Sequence, residues 1–287
     1  MNGKDGENCS NSPKPRVQST SKRINTFRVG YVQNSPLFGE KEKNFTQIEK
    51  LTDNIQADLI VLPELFATGY TFISKEEALN LAENINGDTS IFLQQISQET
   101  GAIIVGGFVE KEGTEIYNSS MMVFKEKIIG TYKKIHLYNK EKIWFSPGNK
   151  QFLVNKVNNI KIGMMICFDW IFPESVRSLA LLGADIIAHP ANLVLPYCQS
   201  AMQTRCLENR IFAITANRIG TEERGEDKFI FTGASQITAF DGEVLSSAPP
   251  NEVFVDIVDI DIKAARNKSL NEFNNLFKDR RQDLYKL

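Results

Sequence analysis

The sequence predicts an α/β protein. Three observations carry that reading. From Phe27 onward, short β-branched runs alternate with stretches whose apolar residues recur at helical spacing. Two strand-like runs stop at a carboxylate, in Leu59-Ile60-Val61-Leu62-Pro63-Glu64, and at a thiol, in Ile162-Gly163-Met164-Met165-Ile166-Cys167. A third run, 128–137, carries Lys133 and Lys134. Strands ending on reactive side chains are how α/β proteins present chemistry at a sheet edge.

In chain order, a strand is expected over 27–33. A helix over 41–56 follows from Phe45, Ile48, Leu51 and Ile55, which share one apolar face. Next come a strand over 58–62, helices over 75–83 and 90–100, and a buried strand over 102–108 ending in Gly106-Gly107. Residues 117–124 and 127–134 read as a hairpin turning at Lys125-Glu126. A strand over 161–166 leads into a helix to 182, with Pro173 at the favoured first turn and Gly183 closing it. Then follow a strand over 185–189, a helix over 197–210 and a strand over 211–216. Strands over 235–240 and 243–246 flank a turn at Asp241-Gly242. A strand over 253–260, a short helix over 263–267 and a charged tail at 279–283 complete the chain. Without an internal repeat or a Gly/Ser/Pro linker, residues 25–287 are expected to form one domain. Residues 1–24, rich in Asn, Ser, Lys and Pro and lacking an apolar h-region, read as a disordered leader.

The composition, with 42% hydrophobic and 24% charged residues over 287, is that of an ordinary globular protein. A net charge of −2 gives no electrostatic footprint for nucleic acid. No apolar run approaches the roughly 20 residues that cross a bilayer. Cys9, Cys167, Cys198 and Cys206 include no C-x-x-C pair, and His136 and His189 are the only histidines. A metal site is therefore not expected, nothing in the composition calls for an organic cofactor, and a reducing, cytoplasmic setting fits.

Taken singly, each reactive residue has an ordinary reading: Cys167 as core, Glu64 as a loop carboxylate, Lys133 and Lys134 as a solvated face. Together they are complementary. A thiol with a pKa near 8.5 needs a base or a positive field to become a nucleophile. A desolvated carboxylate is a stronger base, and an ammonium stabilises both thiolate and oxyanion.

Leu62-Pro63-Glu64-Leu65, Lys133-Lys134-Ile135-His136-Leu137 and Ile166-Cys167-Phe168-Asp169 resemble the three motif blocks of the nitrilase superfamily, the carbon–nitrogen hydrolases. Phe145-Ser146-Pro147-Gly148, Phe172-Pro173-Glu174, Asn217-Arg218-Ile219-Gly220 and Asp279-Arg280-Arg281-Gln282-Asp283 follow in family order. The resemblance covers nearly all of 27–285. It implies a four-layer α-β-β-α sandwich whose subunits pair into a homodimer or higher homo-oligomer. It also implies roles: Cys167 as nucleophile, Glu64 as general base, Lys134 as oxyanion holder and Glu141 as the second glutamate, which orients the substrate and Lys134. Lys133 takes the place of a basic neighbour, and His136 packs and hydrogen-bonds beside Lys134.

The implied reaction is cleavage of a non-peptide carbon–nitrogen bond in a small amide, through a Cys thioester, releasing ammonia and an acid. Phe66, Tyr70, Phe168, Trp170, Asn192 and Tyr197 are the expected substrate-binding residues, an aromatic, mostly uncharged lining. Phe168-Asp169-Trp170 is closer to the Cys-aromatic-Asp pattern of the amidase branches than to Cys-Trp-Glu. Trp170-Ile171 stands where N-carbamoyl-D-amino-acid amidases carry a paired Arg, so the carboxylate clamp is missing and an N-carbamoyl amino acid is disfavoured, while an N-carbamoyl amine amidohydrolase stays an alternative. Cys-Phe-Asp-Trp also resembles archaeal members regarded as nitrilases, which keeps a small (di)nitrile as the alternative substrate. A non-catalytic scaffold subunit would be expected to have lost one of Glu64, Lys134, Glu141 and Cys167.

Overall fold

The structure, a computed structural model, describes residues 26–285, so the leader expected over 1–24 lies outside the described residues. The first half runs β1 (Phe27–Gln33), α1 (Lys41–Thr52), β2 (Leu59–Val61), α2 (Lys75–Leu81), α3 (Asp88–Thr100), β3 (Ile103–Glu112), β4 (Glu115–Phe124) and β5 (Lys127–Lys133). A single turn of helix, α4 (Glu141–Trp144), links it to β6 (Val154–Val157), β7 (Ile160–Met164), a 3-10 turn (Cys167–Ile171), α5 (Pro173–Leu181) and β8 (Ile186–Pro190). Then come α6 (Cys198–Asn209), β9 (Phe212–Ala216), β10 (Thr221–Arg224), β11 (Asp227–Ile230), β12 (Gln236–Thr238), β13 (Val244–Ser247), β14 (Phe254–Ile260) and α7 (Ile262–Arg266).

Two six-stranded sheets result, ordered β14-β1-β2-β3-β4-β5 and β13-β12-β9-β8-β7-β6, with β10-β11 a separate hairpin. β1, β2 and β3 pair in parallel, as do β7, β8 and β9, and antiparallel strands extend both sheets. The two-residue side-chain period of β2 sorts its neighbours. Leu59 and Val61 enter the core shared with Ile162 and Met164 of β7, while Ile60 and Leu62 pack with Ile48 of α1 and with Phe92 and Leu93 of α3. Gly163 faces the other way, where a Cβ would stand 2.8 Å from Leu179 of α5. Helices thus cover the outer face of each sheet: the chain is a four-layer α-β-β-α sandwich. Each large apolar side chain fully buried between layers contributes about 1.5–3 kcal/mol.

Several expected elements differ in extent. α1 stops at Thr52 rather than 56, because Asp53-Asn54 turns the chain, with Asn54 at φ +59. The strand expected over 161–166 ends at Met164, so Cys167 opens a 3-10 turn instead of ending a strand. α4, β6, β10 and β11 were not expected from the sequence. Among the described residues no helix is long and apolar enough to cross a membrane.

Candidate active site

Glu64 follows β2 across Pro63 in a turn that lies directly on β3. Leu65 takes a left-handed φ of +50, and a Cβ on Gly107 would stand 2.7 Å from the Glu64 Cα. Only glycine leaves room for that approach. Lys134 follows β5, its backbone tied to β4 by Lys134 N donating to Asn118 O at 2.9 Å. Glu141 opens α4.

These three meet. Lys134 Nζ donates to Glu64 Oε1 at 2.6 Å and to Glu141 Oε1 at 2.8 Å, with exposures of 0%, 0% and 3% for Lys134, Glu64 and Glu141. Asn118 Nδ2 also donates to Glu64 Oε1 at 2.7 Å, and Tyr70 Oη donates to Glu141 Oε1 at 2.8 Å. Glu64 Oε2 is buried with no partner, which leaves one basic oxygen of that carboxylate free. Burial favours a neutral lysine, but Glu141 and Glu64 outweigh it and hold Lys134 above the ordinary lysine value. Burial raises Glu141, against the pull of Lys134, and Glu64 pushes the same way. Burial also raises Tyr70, followed by the charges of Glu141, Glu64 and Cys167, so its hydroxyl remains a donor.

Cys167 sits in the left-handed region at φ +40. Asp169 pins the turn around it. Its Oδ2 accepts from Ile166 N at 2.8 Å and Tyr132 Oη at 2.7 Å, and its Oδ1 lies 2.7 Å from His136 Nδ1. His136 stacks on Phe172 with ring centroids 3.8 Å apart. The Cys167 thiol is pushed well above its ordinary value by burial first and the Glu64 charge second. Lys134 and the Asn192 backbone N–H pull the other way. The resting group is therefore a thiol, beside a carboxylate with a free oxygen.

A narrow cleft opens at Cys167. Tyr138, Phe168 and Trp170 line it with Leu193, Val194 and Leu195 from the loop after β8; Asn192 contributes its amide, donating Nδ2 to Glu64 O at 2.9 Å. Two expected lining residues are not there. Phe66 is fully buried in the layer between the first sheet and its helices, 6.2 Å from the rings of both Phe45 and Phe92, because Leu65 turns the chain away. Tyr197 is 63% exposed, ahead of α6, and does not line the cleft. Tyr70 touches the site through Glu141. Lys133 lies apart, paired with Glu112 at 2.6 Å and over the Tyr117 ring. Asn118 was missed, although Asn118-Ser119-Ser120 is a polar run inside a buried strand, a signal of a constrained site.

A profile described as carbon-nitrogen hydrolase matches residues 28–268. The chain belongs to the carbon–nitrogen hydrolase family. This hydrolase is 47% identical over 262 residues, 90% of this chain and 98% of the relative, to a protein named nitrilase from Pyrococcus abyssi. It is 35% identical over 214 residues, 73% of this chain and 76% of the relative, to an (R)-stereoselective amidase from a Pseudomonas species. In structure it resembles the crystal structure of a carbon-nitrogen hydrolase from Helicobacter pylori G27, with a TM-score of 0.83 and 23% identity, covering 91% of this chain and 97% of that one. The hydrolase is accordingly an enzyme of carbon–nitrogen bond cleavage.

Proposed function

We propose that this enzyme hydrolyses a small, uncharged amide to an acid and ammonia through a thioester on Cys167. The observation that carries the reading is the buried Lys134 ammonium bridging Glu64 and Glu141, with Glu64 Oε2 unpartnered among the described residues and the charges of Glu64 and Lys134 both acting on the Cys167 thiol. Glu64 takes the thiol proton as Sγ bonds to the amide carbon. Lys134 and the Phe168 N–H hold the oxyanion, each such donor contributing about 3 kcal/mol to the transition state. The C–N bond breaks as Glu64 returns its proton to the departing nitrogen. Water, deprotonated by Glu64, then attacks the thioester and restores the thiol. Glu141, held by Tyr70, keeps Lys134 in place. The cleft's aromatic and aliphatic lining, with no cation to clamp a carboxylate, supports a neutral substrate.

The 47% identical relative named nitrilase supports a second reading. The same thiol adds to a nitrile carbon to give a thioimidate, which two waters carry to acid and ammonia.

Ammonia release from small amides, N-carbamoyl amines and dinitriles, run beside Cys167→Ala, separates these readings. Amide turnover that vanishes in a folded Cys167→Ala is the expected result. Turnover confined to fumaronitrile-like compounds moves the assignment to the nitrile, and undiminished turnover in Cys167→Ala ends both.

We also infer a homodimer and a cytoplasmic setting. The exposed Leu181 and Leu182 at the end of α5 and Leu207 on α6 support the first. The buried free thiols of Cys167, Cys198 and Cys206 suit a reducing compartment. Sedimentation at micromolar concentration is expected to give twice the chain mass, and a monomer there would refute the dimer.

A further inference from the structure

His189 lies on β8 with its ring fully buried between β9 and the nucleophile turn. Its Nδ1 is 3.0 Å from Thr215 Oγ1, and its Nε2 is 3.0 Å from the Cys167 carbonyl oxygen. A carbonyl can only accept, so Nε2 carries the proton and Nδ1 accepts from the Thr215 hydroxyl. Burial is the largest influence on the ring and holds its pKa down to about 4. The Cys167 carbonyl and Asp169 push it up, and Lys134 pushes it down. The imidazole is neutral at working pH, and its accepting nitrogen is occupied, so it is no base for the thiol.

What it holds matters more. The Cys167 carbonyl and the Phe168 N–H belong to one planar, trans peptide unit, whose C=O and N–H point in opposite directions. Fixing the oxygen against β8 turns the N–H the other way. Among the described residues no protein group accepts from that N–H. The unit follows a non-glycine residue at φ +40, a conformation costing of order 1–3 kcal/mol that persists only where its surroundings enforce it. A donor on the carbonyl also polarises the peptide and strengthens its N–H.

We propose that His189 is a positioning residue: the Thr215–His189–Cys167 relay fixes the Cys167–Phe168 peptide so that the Phe168 N–H stands ready to receive the oxyanion. This rests on reading Cys167 as the nucleophile.

His189→Leu, His189→Gln and Thr215→Val are compared with the parent in three measurements. These are kcat and KM for ammonia release from a small amide, affinity for an aldehyde that adds reversibly to Cys167, and the rate of Cys167 alkylation by iodoacetamide. The aldehyde adduct places an oxyanion where the substrate's would form; alkylation forms none. In His189→Leu, kcat and aldehyde affinity are expected to fall about ten- to a hundredfold, part of the effect of deleting one oxyanion donor outright. KM and the alkylation rate should stay within about threefold. Gln, which can place an amide N–H near the Nε2 position, restores most of the loss, and Thr215→Val lies between.

Unchanged kcat in a folded His189→Leu overturns the proposal. So does an alkylation rate that falls as far as kcat, or a Gln variant no better than Leu. Should His189→Leu fail to fold, nitrogen NMR of the parent imidazole decides. A neutral Nε2–H ring from pH 5 to 8 supports the relay, and an Nδ1–H ring or titration near 6.5 refutes it. Turnover of the parent against Cys167→Ala tests the nucleophile separately, because the ring's tautomer is read without any substrate.

Discussion

Lys134→Met is expected to lower kcat for ammonia release by about a thousandfold or more, and to destabilise the protein by about 3–5 kcal/mol at pH 8. Both effects follow from one nitrogen. Lys134 Nζ donates to both Glu64 and Glu141, and its charge offsets those of the two carboxylates out of water. Without it, two buried carboxylates that shared one ammonium face each other, and one must take up a proton. Between the ordinary Glu value of about 4.3 and the raised value of that carboxyl in the fold, the folded variant binds more protons than the unfolded chain, so its stability falls as pH rises through that window. Urea denaturation at pH 5 and pH 8 reads this directly, with the variant closer to the parent at pH 5. In the parent the sign is the same, but the window lies at high pH. The raised lysine pKa gives a contribution fully present below its unfolded value of about 10.4, lost only as pH climbs through the folded value. A variant equally destabilised at both pH values would refute the account of a shared cation.

Arg218→Met is expected to cost about 3 kcal/mol and to lower kcat about tenfold, although Arg218 belongs to no part of the cleft. The guanidinium is buried, donating to Glu222 Oε1 at 2.5 Å and to Pro36 O at 3.1 Å, with the Phe231 ring 4.0 Å away. Glu222 Oε2 in turn accepts from Tyr70 N, Thr71 N and Thr71 Oγ1 at 3.1, 2.8 and 2.7 Å. Removing the arginine leaves a buried carboxylate on the segment that aims Tyr70 at Glu141, and breaking a buried pair from one side is the costly way to break it. Glu222→Gln added to Arg218→Met removes the stranded charge and is expected to recover about 1–2 kcal/mol. No recovery in that pair, or full activity in Arg218→Met, would show that Tyr70 is placed by other contacts.

Sequence patterning reaches the α/β class because the sheets are built from short apolar runs, with the carboxylate, amine and thiol just beyond the ends of three of them; the four-layer sandwich is legible only through the family resemblance. It fails where polar residues are buried or the backbone bends. β10 reads Thr221-Glu222-Glu223-Arg224 and looks like a solvated loop, yet Glu222 is buried against Arg218, a pairing hydropathy cannot reveal. Asn118 is hidden in a strand for the same reason. Phe66 and Tyr197 looked like pocket residues by nearness in sequence to Glu64 and Asn192, but the positive φ at Leu65 and the exposed start of α6 direct them elsewhere. α4 has four residues, too few for a periodic signal. His189 sits in an apolar strand, where only its two partners disclose a task.

The residues of the candidate site are divided between the sheets. Glu64, Asn118 and Lys134 come from the first half of the chain; Cys167, His189 and Asn192 come from the second. On the proposed mechanism, a molecule whose halves have not closed is expected to carry only an ordinary thiol and an ordinary carboxylate, inert toward amides. Reactivity would then require both halves in place, so turnover regained after dilution from denaturant is expected to report their docking.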